Sequence, residues 1–140
     1  MFSQSNYRLC FRLLGLVTLL AIAVGSLMPL PAVPQQMGSD KLHHFLAYAF
    51  LTFCFMQSVY STKYRLLFAI GFVLLGILIE FIQPSVNRYF EYADMLANTI
   101  GIIVGFISGG LFYSMIRRWL QKPAHITITH KGRKSDASPR

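Results

Sequence analysis

The sequence predicts an all-α fold: a polytopic membrane bundle of four transmembrane helices with the N- and C-termini cytoplasmic. Three observations predict it. Of the 140 residues 54% are hydrophobic and only 13% are charged, more apolar surface than so short a soluble domain can bury, because small domains keep a large share of their surface in water. Four apolar stretches approach the roughly 20 residues that a helix needs to cross a bilayer core of about 30 Å. The formal charge of +8 comes from residues in short connections and at the two ends, which marks it as a topology signal and not as a nucleic-acid surface.

The first stretch runs from about Phe11 to Leu30 and stops at Pro29, Pro31 and Pro34. The second runs from about Leu42 to Tyr60, the third from Leu66 to Gln83 with Pro84 ending it, and the fourth from Asp94 to Ile116. Inside lipid each backbone polar group must be satisfied within the segment, and the alternation of a barrel strand is absent, so these stretches are helices. The first has a second reading as a signal peptide, because Arg8 and Arg12 precede it and Ala21-Ile22-Ala23 resembles a cleavage site. Its apolar run exceeds the about 7 to 15 residues of a signal core, which favours a retained span. Cys10 and Cys54 make no disulfide framework, and Cys10 precedes the apolar run instead of following it as a lipoprotein cysteine must.

Lys and Arg counted by side fix the orientation. Arg8, Arg12, Lys63, Arg65, Arg117, Arg118, Lys122, Lys131, Arg133, Lys134 and Arg140 fall on one side, and only Lys41 and Arg88 on the other. The first side is cytoplasmic. Residues 1–10 are then a cytoplasmic N-terminus, 11–120 the transmembrane domain, and 121–140 a basic, disordered cytoplasmic tail beside anionic lipid.

With that direction the polar residues gather at the outer face. Asp40, Lys41, His43 and His44 open the second span, Glu80 and Gln83 close the third, Asp94 and Asn98 open the fourth, and Arg88 and Glu91 lie between. Asp40, His44 and Tyr48 share a stripe by their spacing of four, with His43 turned about 100° away toward headgroups or a neighbour. Gly76, Glu80 and Gln83 share another. Asp94, Asn98, Gly101, Gly105 and Gly109 make a third, and the small-xxx-small ladder in it, like Gly76, lets helices pack closely in lipid. Asp40 and Asp94 have an ordinary explanation as helix-capping carboxylates. Glu80 does not, since it lies near a helix C-terminus inside an apolar run and needs a partner or a proton; Lys41, His44 and Arg88 are the available cations. Gln83 and Asn98 can equally serve as interhelical hydrogen-bonding groups.

The motifs Asp40-Lys41-x-x-His44-Phe45-x-x-Tyr48, Gly76-x-x-x-Glu80-x-x-Gln83 and Arg88 leading to Asp94-x-x-x-Asn98-x-x-Gly101-x-x-x-Gly105 together resemble the VanZ-like family of small bacterial membrane proteins. The resemblance covers residues 40 to about 110 and leaves the first span and the tail without a functional assignment. It implies a multi-pass protein of the bacterial inner membrane and cell envelope. The family is named for a member associated with resistance to teicoplanin, and membership alone does not make this chain a resistance determinant.

Three function classes are compatible with these residues. In the preferred one, an outward-facing pocket binds the polar head of an envelope lipid, a lipid-linked glycan or an amphipathic, glycopeptide-type compound, with Asp40, Lys41, Gln83, Arg88 and Asn98 as binding residues. In the second, Glu80, His44 and Asp94 are catalytic acid, base and orienting groups of a hydrolase or transferase acting on a lipid headgroup. In the third the polar cluster only specifies helix contacts in an assembly. No cofactor and no resident metal are expected, because neither HExxH nor CxxC accompanies His44, Asp40, Glu80 and Asp94. Membrane lipids are the expected partners, nucleic acid is not, and nothing in the sequence fixes an oligomeric state.

Overall fold

A computed structural model describes residues 4–28 and 39–120. The prolines after the first span and the basic tail over 121–140 lie outside the described residues. Among the described residues four helices, α1 (Gln4–Leu27), α2 (Ser39–Ser58), α3 (Thr62–Ile82) and α4 (Tyr92–Leu120), form the fold, with a 3₁₀ turn (Gln83–Val86) after α3. No strand occurs among the described residues.

Helix ends depart from the sequence boundaries where polar side chains find partners. The first helix starts at Gln4, not near Phe11, because its polar first turns are anchored: Tyr7 donates a hydrogen bond to Gln57 Oε1 (3.1 Å) and the Arg8 guanidinium stacks on the Tyr60 ring. Thr62 opens α3 a turn before Leu66, with Arg65 N–H donating to the Ser61 carbonyl and its side chain to that of Val59 (2.9 Å). Gln83 falls in the 3₁₀ turn because Pro84 has no N–H to continue the helix. Asn87 then takes the left-handed conformation (φ 59°), which asparagine tolerates, and sends Arg88 back over α1. Helix α4 continues past Ile116 through Arg117 and Arg118, cations that suit a helix C-terminus.

Three of the helices, Gln4–Leu27, Thr62–Val86 and Tyr92–Trp119, are long and apolar enough to span a membrane. They turn large apolar side chains outward, among them Leu20, Leu74 and Leu111. An apolar belt of that extent fits a hydrocarbon solvent and not water. Helix α2 is less apolar because it is the central element, touching α1, α3 and most of all α4. Leu51, Thr52, Cys54, Met56 and Gln57 on it are wholly buried. Its polar groups are satisfied within the helix or by α4: Thr52 donates to the Tyr48 carbonyl one turn back on α2 (2.8 Å), and Gln57 Nε2 to that of Gly109 on α4 (2.8 Å).

The α2–α4 contact is set by glycine. A Cβ on Gly101 would collide with the Phe45 carbonyl oxygen and one on Gly105 with that of Ala49, while one on Gly109 would come within 2.7 Å of Met56 Cβ. Backbone approach that close admits no side chain. Gly105→Leu is accordingly expected to force the two helices apart, at a cost of about 1–3 kcal/mol or more for overpacking. Thermal unfolding in detergent and abundance in the membrane check this, and wild-type values for both would show that the seam tolerates a side chain.

Candidate functional site

Close packing of α2 on α4 brings the first turns of both helices together with the end of α3 and the α3–α4 connection. His44, buried, places Nδ1 3.1 Å from Asn98 Oδ1. Its Nε2 lies 3.8 Å from Asp40 Oδ1 and 3.8 Å from Asp94 Oδ2. Asp94 is in the first turn of α4, where a capping role was open to it, yet its carboxylate faces α2: Oδ1 is 3.9 Å from Lys41 Nζ. One ligand atom from each of Asp40, His44 and Asp94 lies within 4.8 Å of the other two, a set that can hold a metal ion.

Glu80 is completely buried, and its partner is none of the three cations proposed from the sequence. Oε2 accepts the backbone N–H of Glu91 at 3.2 Å, and among the described residues no Lys, Arg or His makes an ion pair with it. The Glu91 carbonyl in turn accepts the N–H of Asp94 (3.0 Å), so Glu80 fastens the connection to the start of α4. One turn below Glu80, Gly76 makes room for two polar side chains: a Cβ there would stand 3.3 Å from Asn98 Nδ2 and 3.4 Å from the Tyr48 hydroxyl. Those two atoms, Glu80 Oε1 and Asp94 Oδ1 are buried with no hydrogen-bond partner among the described residues. Buried polar atoms left so are costly, and four of them gather here.

The cations are held more firmly than a pocket rim suggests. Lys41 makes a 2.7 Å pair with Glu91, whose hydrogen bond holds the ammonium pKa above its ordinary value. A raised lysine pKa means that the ammonium's contribution to the pair is lost as pH rises through that value. Both side chains are partly exposed, so the pair orders the surface more than it stabilises the fold. Arg88 donates to the Gly25 carbonyl (3.0 Å) and approaches Asp40 Oδ2 (3.6 Å), tying the α3–α4 connection to α1 and α2. Gln83, buried, donates to the Ser26 carbonyl (3.3 Å).

An open groove of about 300 Å³ runs beside this cluster, lined by Ala21, Ile22, Gly25 and Ser26 of α1, Asp40, His43, His44, Ala47 and Tyr48 of α2, and Arg88. Two expectations change here. His43, expected to face headgroups or a neighbour, lines the groove with His44, because α1 covers the flank of α2 to which the 100° rotation turns it. The first span, left without a role, supplies one wall. Asp94, Asn98, Glu80 and Gln83 do not line the groove but stand behind His44 and Tyr48. Sequence reasoning placed Glu91 at this face without giving it a role, and passed over Ser26 and Gln57. Ser26 and, toward Glu80, Glu91 contribute backbone groups, which carry no residue-type signal, although the Glu91 carboxylate that pairs with Lys41 and Gln57, a fully buried amide inside an apolar run at the other end of α2, did carry one.

Comparison with known proteins places this arrangement. The family described as VanZ/LLP1 matches residues 4–116. The chain belongs to that family. The VanZ/LLP1 match takes in all of α1 as well as the motifs on α2, α3 and α4, so it extends well beyond the span of 40 to about 110 on which the resemblance rested. No curated protein and no solved structure matches the chain. VanZ/LLP1 membership together with the apolar helices makes this a membrane protein.

The Glu80 contact yields a paired expectation. Glu80→Gln keeps an oxygen that can accept the Glu91 N–H and should leave thermal stability and membrane abundance close to wild type. Glu80→Leu removes the acceptor of that partly buried N–H, at a cost of about 1 kcal/mol. Equal losses in both variants, read by thermal unfolding in detergent, would contradict the acceptor role.

Proposed function

We propose that this VanZ/LLP1 protein crosses the bacterial inner membrane four times with both termini in the cytoplasm, and that its α1–α2 groove binds the polar head of an envelope amphiphile at the outer face. Support for the fourth crossing comes from α2 itself. Its 20 residues reach about 30 Å at 1.5 Å per residue, and it is enclosed by three helices that each suffice to span. The basic count supports the direction: Arg8, Arg12, Lys63, Arg65, Arg117 and Arg118 flank one end of the bundle, Lys41 and Arg88 the other.

The single observation that carries the binding reading is the composition of the groove. Asp40, His43, His44 and Arg88 give it a polar end, and Ala21, Ile22 and Ala47 an apolar flank between α1 and α2. A lipid, a lipid-linked glycan or an amphipathic glycopeptide-type compound has the same division, with a head for the polar end and a chain for the flank. Reaction on the headgroup is a second reading, favoured by the placement of His44 between Asn98 and two carboxylates. Turnover of a labelled lipid that disappears in Glu80→Gln or Asp94→Asn, with abundance unchanged, separates it from binding alone.

Two measurements check the proposal. Mass spectrometry of lipids retained by the purified protein should show one class enriched over the bulk membrane, and Arg88→Gln should reduce the enrichment several-fold; bulk proportions in both proteins would overturn the binding reading. Reporter fusions at Arg140 and in the connection near Asn87 should be active in the cytoplasm and the periplasm, respectively. A periplasm-active reporter at Arg140 would overturn the orientation.

A further inference from the structure

Asp40, His44 and Asp94 carry a feature that lipid binding does not require. The two 3.8 Å separations from His44 Nε2 to the carboxylates are too long for hydrogen bonds. Two ligand atoms that share one ion at about 2.1 Å lie roughly 3–4 Å apart, so the same spacing suits a cation between them.

Three independent observations point the same way. Asp94 is 3% exposed: its Oδ2 faces His44 Nε2, and its Oδ1, 3.9 Å from Lys41 Nζ, has no hydrogen-bond partner among the described residues, so this buried carboxylate is not satisfied by the side chains around it. On the opposite edge of the imidazole, Nδ1 meets Asn98 Oδ1, an acceptor, and therefore carries the proton and donates it. Nε2 then faces both carboxylates, where its lone pair can join them in ligating one cation. Metal-ligating histidines are held in just this manner, with the far ring N–H donated to a fixed oxygen. Composition agrees as well: among the described residues this end of the bundle holds four carboxyl groups, Asp40, Glu80, Glu91 and Asp94, against the two cationic side chains Lys41 and Arg88.

We propose that Asp40, His44 and Asp94 bind one divalent cation of the zinc type, through a carboxylate oxygen of each aspartate and His44 Nε2, with Asn98 as the positioning residue for the imidazole. One imidazole with two carboxylates is a mixed nitrogen and oxygen set, which suits zinc better than the all-oxygen preference of magnesium or calcium. Sequence motifs missed it because the ligands come from two helices and only Asp40 and His44 are close in the chain. Three protein ligands leave a coordination position open. Asp40 and His44 also line the groove, so on the lipid-binding reading that position receives an anionic headgroup oxygen. The cation site itself does not depend on what the groove holds.

The test uses the metal alone. Full-length protein in detergent, stripped with a chelator, is titrated with Co²⁺ as a spectroscopic probe and with Zn²⁺ by calorimetry. One saturable site per chain is expected, with visible Co²⁺ absorption that Zn²⁺ displaces. His44→Gln should abolish it and Asn98→Ala should weaken it about 10- to 100-fold. Asp40→Asn changes a partly exposed side chain at little risk to folding and should weaken binding at least tenfold; it decides the matter if His44→Gln does not fold. Cys10→Ser and the double substitution His125→Ala with His130→Ala should leave the site intact. Absence of saturable binding in the wild type would show His44 to be an ordinary ion-pair partner of the two aspartates. Undiminished binding in Asp40→Asn, or loss in the cysteine or tail variants, would equally overturn the site.

Discussion

At Gly101 and Gly105 the backbone of α4 rests against the carbonyl oxygens of Phe45 and Ala49 on α2, and the outer end of the bundle takes its geometry from that approach. Lipid tails are as apolar as leucine, so helices in a membrane are held by packing and by hydrogen bonds between them instead of by the exclusion of water. Glycine supplies the packing, and the distance it permits supplies the hydrogen bonds. His44 stands one residue before Phe45 and Asn98 three before Gly101. Their 3.1 Å contact therefore exists because the two backbones nearly touch just below it. A wider seam would separate His44 from Asp94 and Asn98 together.

The two ends of the bundle do different work with polar residues. At the end that holds Gln57 most groups find partners: Gln57 bridges Tyr7 and Gly109, and the Arg65 guanidinium donates through Nε to the Val59 carbonyl and packs on the Tyr113 ring, while its buried Nη2 has no hydrogen-bond partner among the described residues. These contacts lock α1, α2 and α4 and extend the helices past their apolar runs. At the outer end buried oxygens and nitrogens remain without partners around His44 and Gly76. Structural networks tend toward full satisfaction, and binding sites keep groups in reserve for a ligand.

Much of this was legible in the sequence, for identifiable reasons. Helical periodicity placed Asp94, Asn98 and the three glycines on one face, and spacing of four put Asp40, His44 and Tyr48 on another. Those two faces are the ones that meet. Periodicity says nothing about which flank of α2 a first helix covers, so the role of α1 in the groove and the place of His43 were not readable. Nor does residue type reveal backbone donors, which is why Glu80 was assigned a cation when its partner is the Glu91 N–H. Helix α2 also shows the limit of hydropathy: the residues that make it the central helix are the polar ones that weaken its apolar signal.

A double-mutant cycle on His44 and Asn98 tests the central claim most directly, that α2 and α4 meet closely enough to build one site. Unfolding free energies of His44→Ala, Asn98→Ala and the pair, measured in the same detergent, should show a coupling of about 0.6 to 1.7 kcal/mol, the range of interhelical hydrogen bonds in membrane proteins. The coupling should vanish when Gly105→Leu is added. Single substitutions that add to within about 0.3 kcal/mol would mean that the two side chains do not meet, and would contradict the account.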